Sequence, residues 1–113
     1  MTDLARVAAL ATMGLGASQA LVPQTTAKVF GLDELNGQGV WLARLLGVAN
    51  LALGAMSLDE RLRAETDVYV YGLLAGNAVA TVAATASGAL PKRTAAMVLP
   101  FLAGLAGARA ADG

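Results

Sequence analysis

The stretch VYVYGLLAGNAVATVAATASGAL, Val68 to Leu90, carries no charge, and its polar groups are confined to Asn77, the threonines and Ser87. An amphipathic helix of a water-soluble protein sets an apolar stripe against a face of glutamate and lysine. Wound as a helix, Val68–Leu90 is apolar or small on every side, which suits lipid or a deep protein interior and not a water-exposed surface. Its length of about twenty residues is that of a helix crossing roughly 30 Å of hydrocarbon.

Outward from this stretch, charge falls in punctuation between uncharged blocks: Val7–Ala27, Leu45–Leu58 and Thr94–Ala108 also carry none. The expected spans are Leu4–Val22, Val40–Leu58, Val68–Leu90 and Thr94–Ala108. The fourth, with Pro100 inside it, reaches only about 22 Å, so it must thin the bilayer, extend through Ala110 or sit partly behind its neighbours. Composition agrees with lipid as the solvent. Apolar residues make up 57% of the 113, above the roughly 45 to 50% of ordinary soluble domains. Aromatic residues are only 4%, too few for a dense core in so small a chain. Arg6, the apolar run after it and Ser18-Gln19-Ala20 also resemble a signal peptide with a small-residue cleavage site, but Asp3 offsets Arg6, and a retained helix is expected.

The connections complete an all-α expectation: a single domain, residues 1–113, forming a four-transmembrane-helix bundle with a short interfacial helix between the first and second spans. That helix is expected in Pro23–Leu32, with Thr25 or Thr26 as its cap, Lys28 opposed to Val29 and Phe30, and Gly31 as its stop. Asp33–Gly39 reads as a polar turn, Asp59–Asp67 as a solvated loop of mixed charge, and Pro91–Arg93 as a tight hairpin between the last two spans. Four spans put both termini on one side with Arg6, Arg61, Arg63 and Arg109. Lys28, Lys92 and Arg93 lie opposite, where Arg44 evens the count, so the positive-inside rule gives no margin and cytoplasmic termini are only the orientation adopted as an expectation. Trp41 and Phe30 mark one membrane interface, Tyr69 and Tyr71 the other.

Lipid supplies no apolar drive between helices, so small residues that admit close backbone approach become the adhesive. Ala8, Thr12, Gly16 and Ala20 form one such stripe; Ala43, Gly47, Asn50 and Gly54 form a second; Gly72, Gly76, Ala80, Ala84 and Gly88 form a third. Contact within one four-helix unit is the favoured use, and a homodimer face the alternative.

Several functions are disfavoured. The chain has no cysteine and no histidine, which removes disulfides, thiolate nucleophiles, imidazole bases and most zinc, copper and haem ligation. Eight basic residues balance eight acidic ones, giving no global field to draw nucleic acid. No catalytic residue, metal ligand or cofactor is expected. The candidate ligand-binding residues are Arg44, Trp41, Asn50 and Asn77. Arg44 lies about 6 Å inside the second span, close enough to snorkel to the headgroups with Trp41 beside it. Alternatively, it is an anion clamp in a pocket for a lipid headgroup, a quinone or a carboxylated ligand. Asn50 and Asn77 lie deeper and each requires a partner: the other, Gln19 or a backbone carbonyl. A proton path is disfavoured, because no span contains aspartate, glutamate or histidine.

The runs GLGASQALVP (Gly14–Pro23), FGL (Phe30–Leu32) and ARLLGVANLALG (Ala43–Gly54) resemble small uncharacterised bacterial four-helix membrane proteins that are broadly DoxX-like. The resemblance covers about the first half of the chain and implies a four-span bundle in a bacterial inner membrane. Some DoxX-like proteins are linked to quinone-coupled sulfur oxidation, for which this chain lacks cysteine and histidine. The leading expectation is a non-catalytic packing, assembly or lipid-associated subunit, with membrane lipids and a homodimer or larger membrane complex as partners. A hydrophobic-ligand or quinone-binding protein with its pocket at Arg44 is the alternative, and a minimal dimeric transporter the third.

Overall fold

A computed structural model describes residues 2–112. Its helices are α1 (Asp3–Leu21), α2 (Pro23–Val29), α3 (Gly37–Ser57), α4 (Arg63–Ala86) and α5 (Lys92–Asp112), with a 3-10 turn at Glu60–Leu62 before α4. Strands are missing from the described residues. Four helices are long and apolar enough to cross a membrane, with the short α2 between the first two. At most 22% of the apolar window of any span is buried inside the protein. The outward surface is correspondingly greasy, with Leu21, Val68 and Val79 each at least 70% exposed. A protein that leaves so much apolar side chain uncovered along four long helices is built for lipid.

Each helix begins and ends for a local reason. The Thr2 hydroxyl caps α1 by accepting from the Ala5 N–H at 3.1 Å, and the Asn36 side chain caps α3 by accepting from the Gly39 N–H at 2.7 Å. Pro23 stands at the start of α2, where its missing N–H costs nothing. The expected threonine cap of α2 is not formed. Val22 occupies that position without a side-chain bond, and Thr26 is buried inside the helix, its hydroxyl donating to the Val22 carbonyl at 3.1 Å and paired with Ser18. Gln24 pins the following loop, donating to the Leu35 carbonyl at 2.7 Å and accepting from the Leu35 N–H at 2.8 Å. After α4, Gly88 takes a φ of +82°, a left-handed conformation that most side chains disfavour, and this sends the chain back into α5.

Several boundaries move from their expected places: α3 begins at Gly37, inside the expected Asp33–Gly39 turn, and α4 ends at Ala86, short of Leu90. α4 starts at Arg63, so most of the segment expected as a solvated loop is helical, held by an Arg63–Asp67 pair one turn apart, with Thr66 fully buried. The last span is also longer. At 21 residues α5 reaches about 30 Å, and it continues through Pro100, whose ring removes the N–H that the Ala96 carbonyl would otherwise accept.

α1 and α3 make the most extensive contact in the molecule, and they run antiparallel: Gly16 meets Gly47, while Gly54 meets Ala9 and Met13. α4 and α5 form the hairpin, α1 also touches α5, and α2 folds across the end of α1 and α3. An edge-to-face contact between Phe30 and Phe101, ring centres 6.4 Å apart, joins the end of α2 to α5. Phe30 is thus partly covered, whereas Trp41, Tyr69 and Tyr71 remain exposed near the ends of their spans.

Candidate functional site

The α1/α3 seam sets the first polar group of the interior. Gly16 and Gly47 interlock so closely that a Cβ on Gly16 would lie 2.5 Å from the Gly47 carbonyl oxygen, and one on Gly47 the same distance from that of Gly16. This approach brings Gln19 against Asn50, whose amide nitrogen donates to the Gln19 side-chain oxygen at 2.8 Å. Asn50 is buried, so the bond spares it an unpaired amide in hydrocarbon.

Asn77 approaches the same space from the middle of α4. Its carbonyl accepts from the Thr81 hydroxyl at 2.7 Å, but its side-chain amide has no hydrogen-bond partner among the described residues. Asn50 and Asn77 both line two adjoining cavities, one of about 80 Å³ towards the chain termini and one of about 420 Å³ towards α2. Leu15, Phe101 and Leu102 are shared by both linings, so the cavities meet at mid-bundle. Thr94 lines the larger one with a buried hydroxyl that has no partner among the described residues. The interior is therefore an apolar cleft with isolated hydrogen-bonding groups, the usual make-up of a small-molecule site.

Arg44 and Trp41 are not part of it. Both are exposed on α3, neither lines a cavity that Asn50 and Asn77 share, and no ring contact joins them. The geometry of α3 explains the separation. At about 100° per residue, Trp41 falls on the opposite side from Asn50 and Arg44 about a third of a turn away, while Gly47, Asn50 and Gly54 turn towards α1. The structure thus brings two of the four candidates together and leaves two facing outward.

A second polar group closes the smaller cavity at the terminal end. Arg109, in the last turn of α5, is only 8% exposed. Its Nε donates to the Asp67 carboxylate, which Arg63 also approaches at 3.3 Å. The Arg63 Nη2 donates to the Arg109 carbonyl at 3.1 Å, and the Arg109 Nη2 is buried without a partner among the described residues. Both arginines line the cavity. Sequence reasoning missed this cluster by treating Asp59–Asp67 as a free loop. The signal was present: a tight hairpin after α4 necessarily brings the end of α5 back to the start of α4, setting Arg109 opposite Arg63 and Asp67. The neighbouring Asp59–Arg61 pair is by contrast solvated. The Arg61 side chain donates to Asp59 at 2.9 Å and holds that carboxyl below its ordinary value.

These features define an all-α membrane protein of four spans with a polar-studded interior cleft. No protein-family model, curated protein or solved structure matches the chain. The DoxX-like resemblance accordingly rests on its motifs alone.

Proposed function

We propose that this protein is a non-catalytic, lipid-associated membrane protein that holds an apolar-chained molecule between its helices. The observation that carries the reading is Asn77: a side-chain amide in the middle of a membrane span, lining an apolar cleft, with no bond to any described residue. In hydrocarbon such a group needs water or a ligand atom. The pocket is the interior cleft and not the surface around Arg44. The location extends from the resemblance to a bacterial inner membrane, with cytoplasmic termini as the orientation adopted.

Native mass spectrometry of protein extracted in mild neutral detergent tests this. A stoichiometric lipid or quinone adduct is expected, depleted several-fold in Asn77→Leu, which fills the cleft and removes the amide. A folded protein that carries no adduct in any gentle detergent would overturn the reading.

A second reading, assembly through α4, is favoured by Gly72 and Gly76, where an added Cβ would meet nothing within 4 Å. Such an unoccupied small-residue face suits a second copy of the chain. The same spectra report stoichiometry, and monomers alone in native-like bilayers would remove this reading.

A further inference from the structure

We infer that the terminal end of the cleft is an anion seat, in which Arg109, braced by Asp67 and Arg63, receives the singly charged head of an acyl-chain amphiphile. The inference rests on the reading of the cleft as a ligand site and adds the ligand's charge and polarity. The head would be a fatty-acid carboxylate or the phosphodiester of a lipid, two sources of one chemistry.

The first ground is the unmade bond. A guanidinium carries five N–H donors in a planar fork and no acceptor, and a charged donor sealed from water without a partner is among the costlier arrangements in a protein. The Arg109 Nη2 is in that condition, although its Nε is bonded to Asp67. Only an acceptor can complete it, and an anionic oxygen does so best.

The second ground is preorganisation. The Arg63 Nη2 holds the Arg109 carbonyl and its Nε reaches Asp67, so two guanidiniums are fixed around one carboxylate before any ligand arrives. Arg109 lies in the last turn of α5, where the helix dipole favours a cation and steadies the group in place.

Depth is the third. The seat lies where α4 begins, α5 ends and the first turns of α1 contribute Ala5 and Ala8 to the lining. All three are the same end of the spans, at the level of headgroups. From there the lining turns apolar through Leu74, Leu102 and Leu105 and continues past Asn77 into the larger cavity. A free inorganic anion has no use for that passage, and a neutral hydrocarbon has none for the arginines. An amphiphile uses both.

The test is binding by the full chain in neutral detergent, read by native mass spectrometry with paired probes: hexadecanoate against hexadecanamide, and dioleoylphosphatidylglycerol against dioleoylphosphatidylcholine. Each pair keeps the chains and changes the head charge. At least one anionic probe is expected to bind about tenfold better than its neutral counterpart, the loss typical of one charge-assisted hydrogen bond. Preference confined to hexadecanoate identifies the free acid as the source, and preference confined to phosphatidylglycerol identifies the headgroup; either supports the seat. Arg109→Gln should erase the preference, and Arg109→Lys should restore only part of it, because an ammonium lacks the fork. If Arg109→Gln does not fold, the wild-type comparison of charged and neutral probes decides alone. Equal binding of both members of each pair, or a preference unchanged in folded Arg109→Gln, overturns the anion seat and leaves the cleft standing. Binding of no probe at all overturns the cleft as well.

Discussion

The two helix pairs of this protein are joined in different ways. α1 and α3 meet backbone to backbone, Gly16 against Gly47 and Gly54 against Ala9, with the Asn50–Gln19 bond set into the seam. α4 and α5 are tied at their ends instead, by the turn at Gly88 on one side and by Asp67–Arg109 and Arg63–Arg109 on the other. The glycines of α4, Gly72 and Gly76, have no such neighbour: a Cβ added at either would meet nothing within 4 Å among the described residues. Stripes of small residues therefore serve opposite ends: one gives contact inside the molecule, and the other leaves a bare face. What separates them is whether a partner helix presents its own small residue at the matching height.

Exchanging one atom group at equivalent positions breaks this contrast most sharply. Gly47→Ala puts a methyl 2.5 Å from the Gly16 carbonyl oxygen and 2.6 Å from the Ala20 nitrogen, both backbone atoms that cannot swing aside. The two helices must part, at a cost of about 3 kcal/mol. Gly76→Ala meets open space and replaces the weaker helix former with the better, so it should stabilise by about 0.5 to 1 kcal/mol. Unfolding titrations in mixed detergent micelles measure both. Equal effects would show that the α1/α3 seam is not the close contact described.

Asp67→Asn attacks the other pair. It keeps the shape of the side chain but removes the charge that Arg109 and Arg63 share. A lost partner of a fully buried ion costs roughly 3 to 5 kcal/mol, and because Asp67 itself is about one-third exposed the loss here should be nearer 2 kcal/mol. The effect should appear in the α4/α5 hairpin, as faster amide exchange near residues 105–110, with α1 and α3 unchanged. Uniform loosening of all four spans would show the bundle to be one cooperative unit and the comparison of pairs to be artificial.

Much of this was legible before the structure. Four spans follow from where the sixteen charges stand, because lipid confines charge to the connections and span ends and the gaps have bilayer length, while the short helix and the final hairpin were legible from Pro23, Gly31 and Pro91. The Asn50–Gln19 bond was also foreseeable, since an amide deep in a span must find a partner and Gln19 was within reach. The Arg109 site was harder to see. Reading charge as a mark of water hid the fact that α4 begins at Arg63 and carries Asp67 inside the helix, one turn on, where an exposed-loop interpretation offered Arg109 no partner. Arg44 drew attention for the opposite reason: an arginine inside a span is conspicuous in sequence, but periodicity alone cannot tell which side of α3 faces α1 until the partner stripe is known.

The seam's polar bond should matter less than its glycines. Asn50→Leu removes the donor that Gln19 accepts and leaves that glutamine to find water or a carbonyl, which interhelical hydrogen bonds in membranes put at about 0.6 to 2 kcal/mol. The double variant with Gln19→Leu should recover part of the loss, because no unpaired amide then remains. A double variant as unstable as the sum of the two singles would mean that the pair is not bonded.

Arg44→Lys is the smallest perturbation and the cleanest test of the outward face. The Arg44 guanidinium is exposed and makes no hydrogen bond, ion pair or ring contact with any described residue. An exposed arginine at this depth can carry its charge up a flexible stem to the headgroups, and lysine can do that equally well. Stability should change by less than about 0.5 kcal/mol, and probe binding in the interior cleft should not change at all. A substantial loss on either measure would mean that the planar fork grips something outside the fold, and the outer face of α3 would then be a place where this protein recognises a partner.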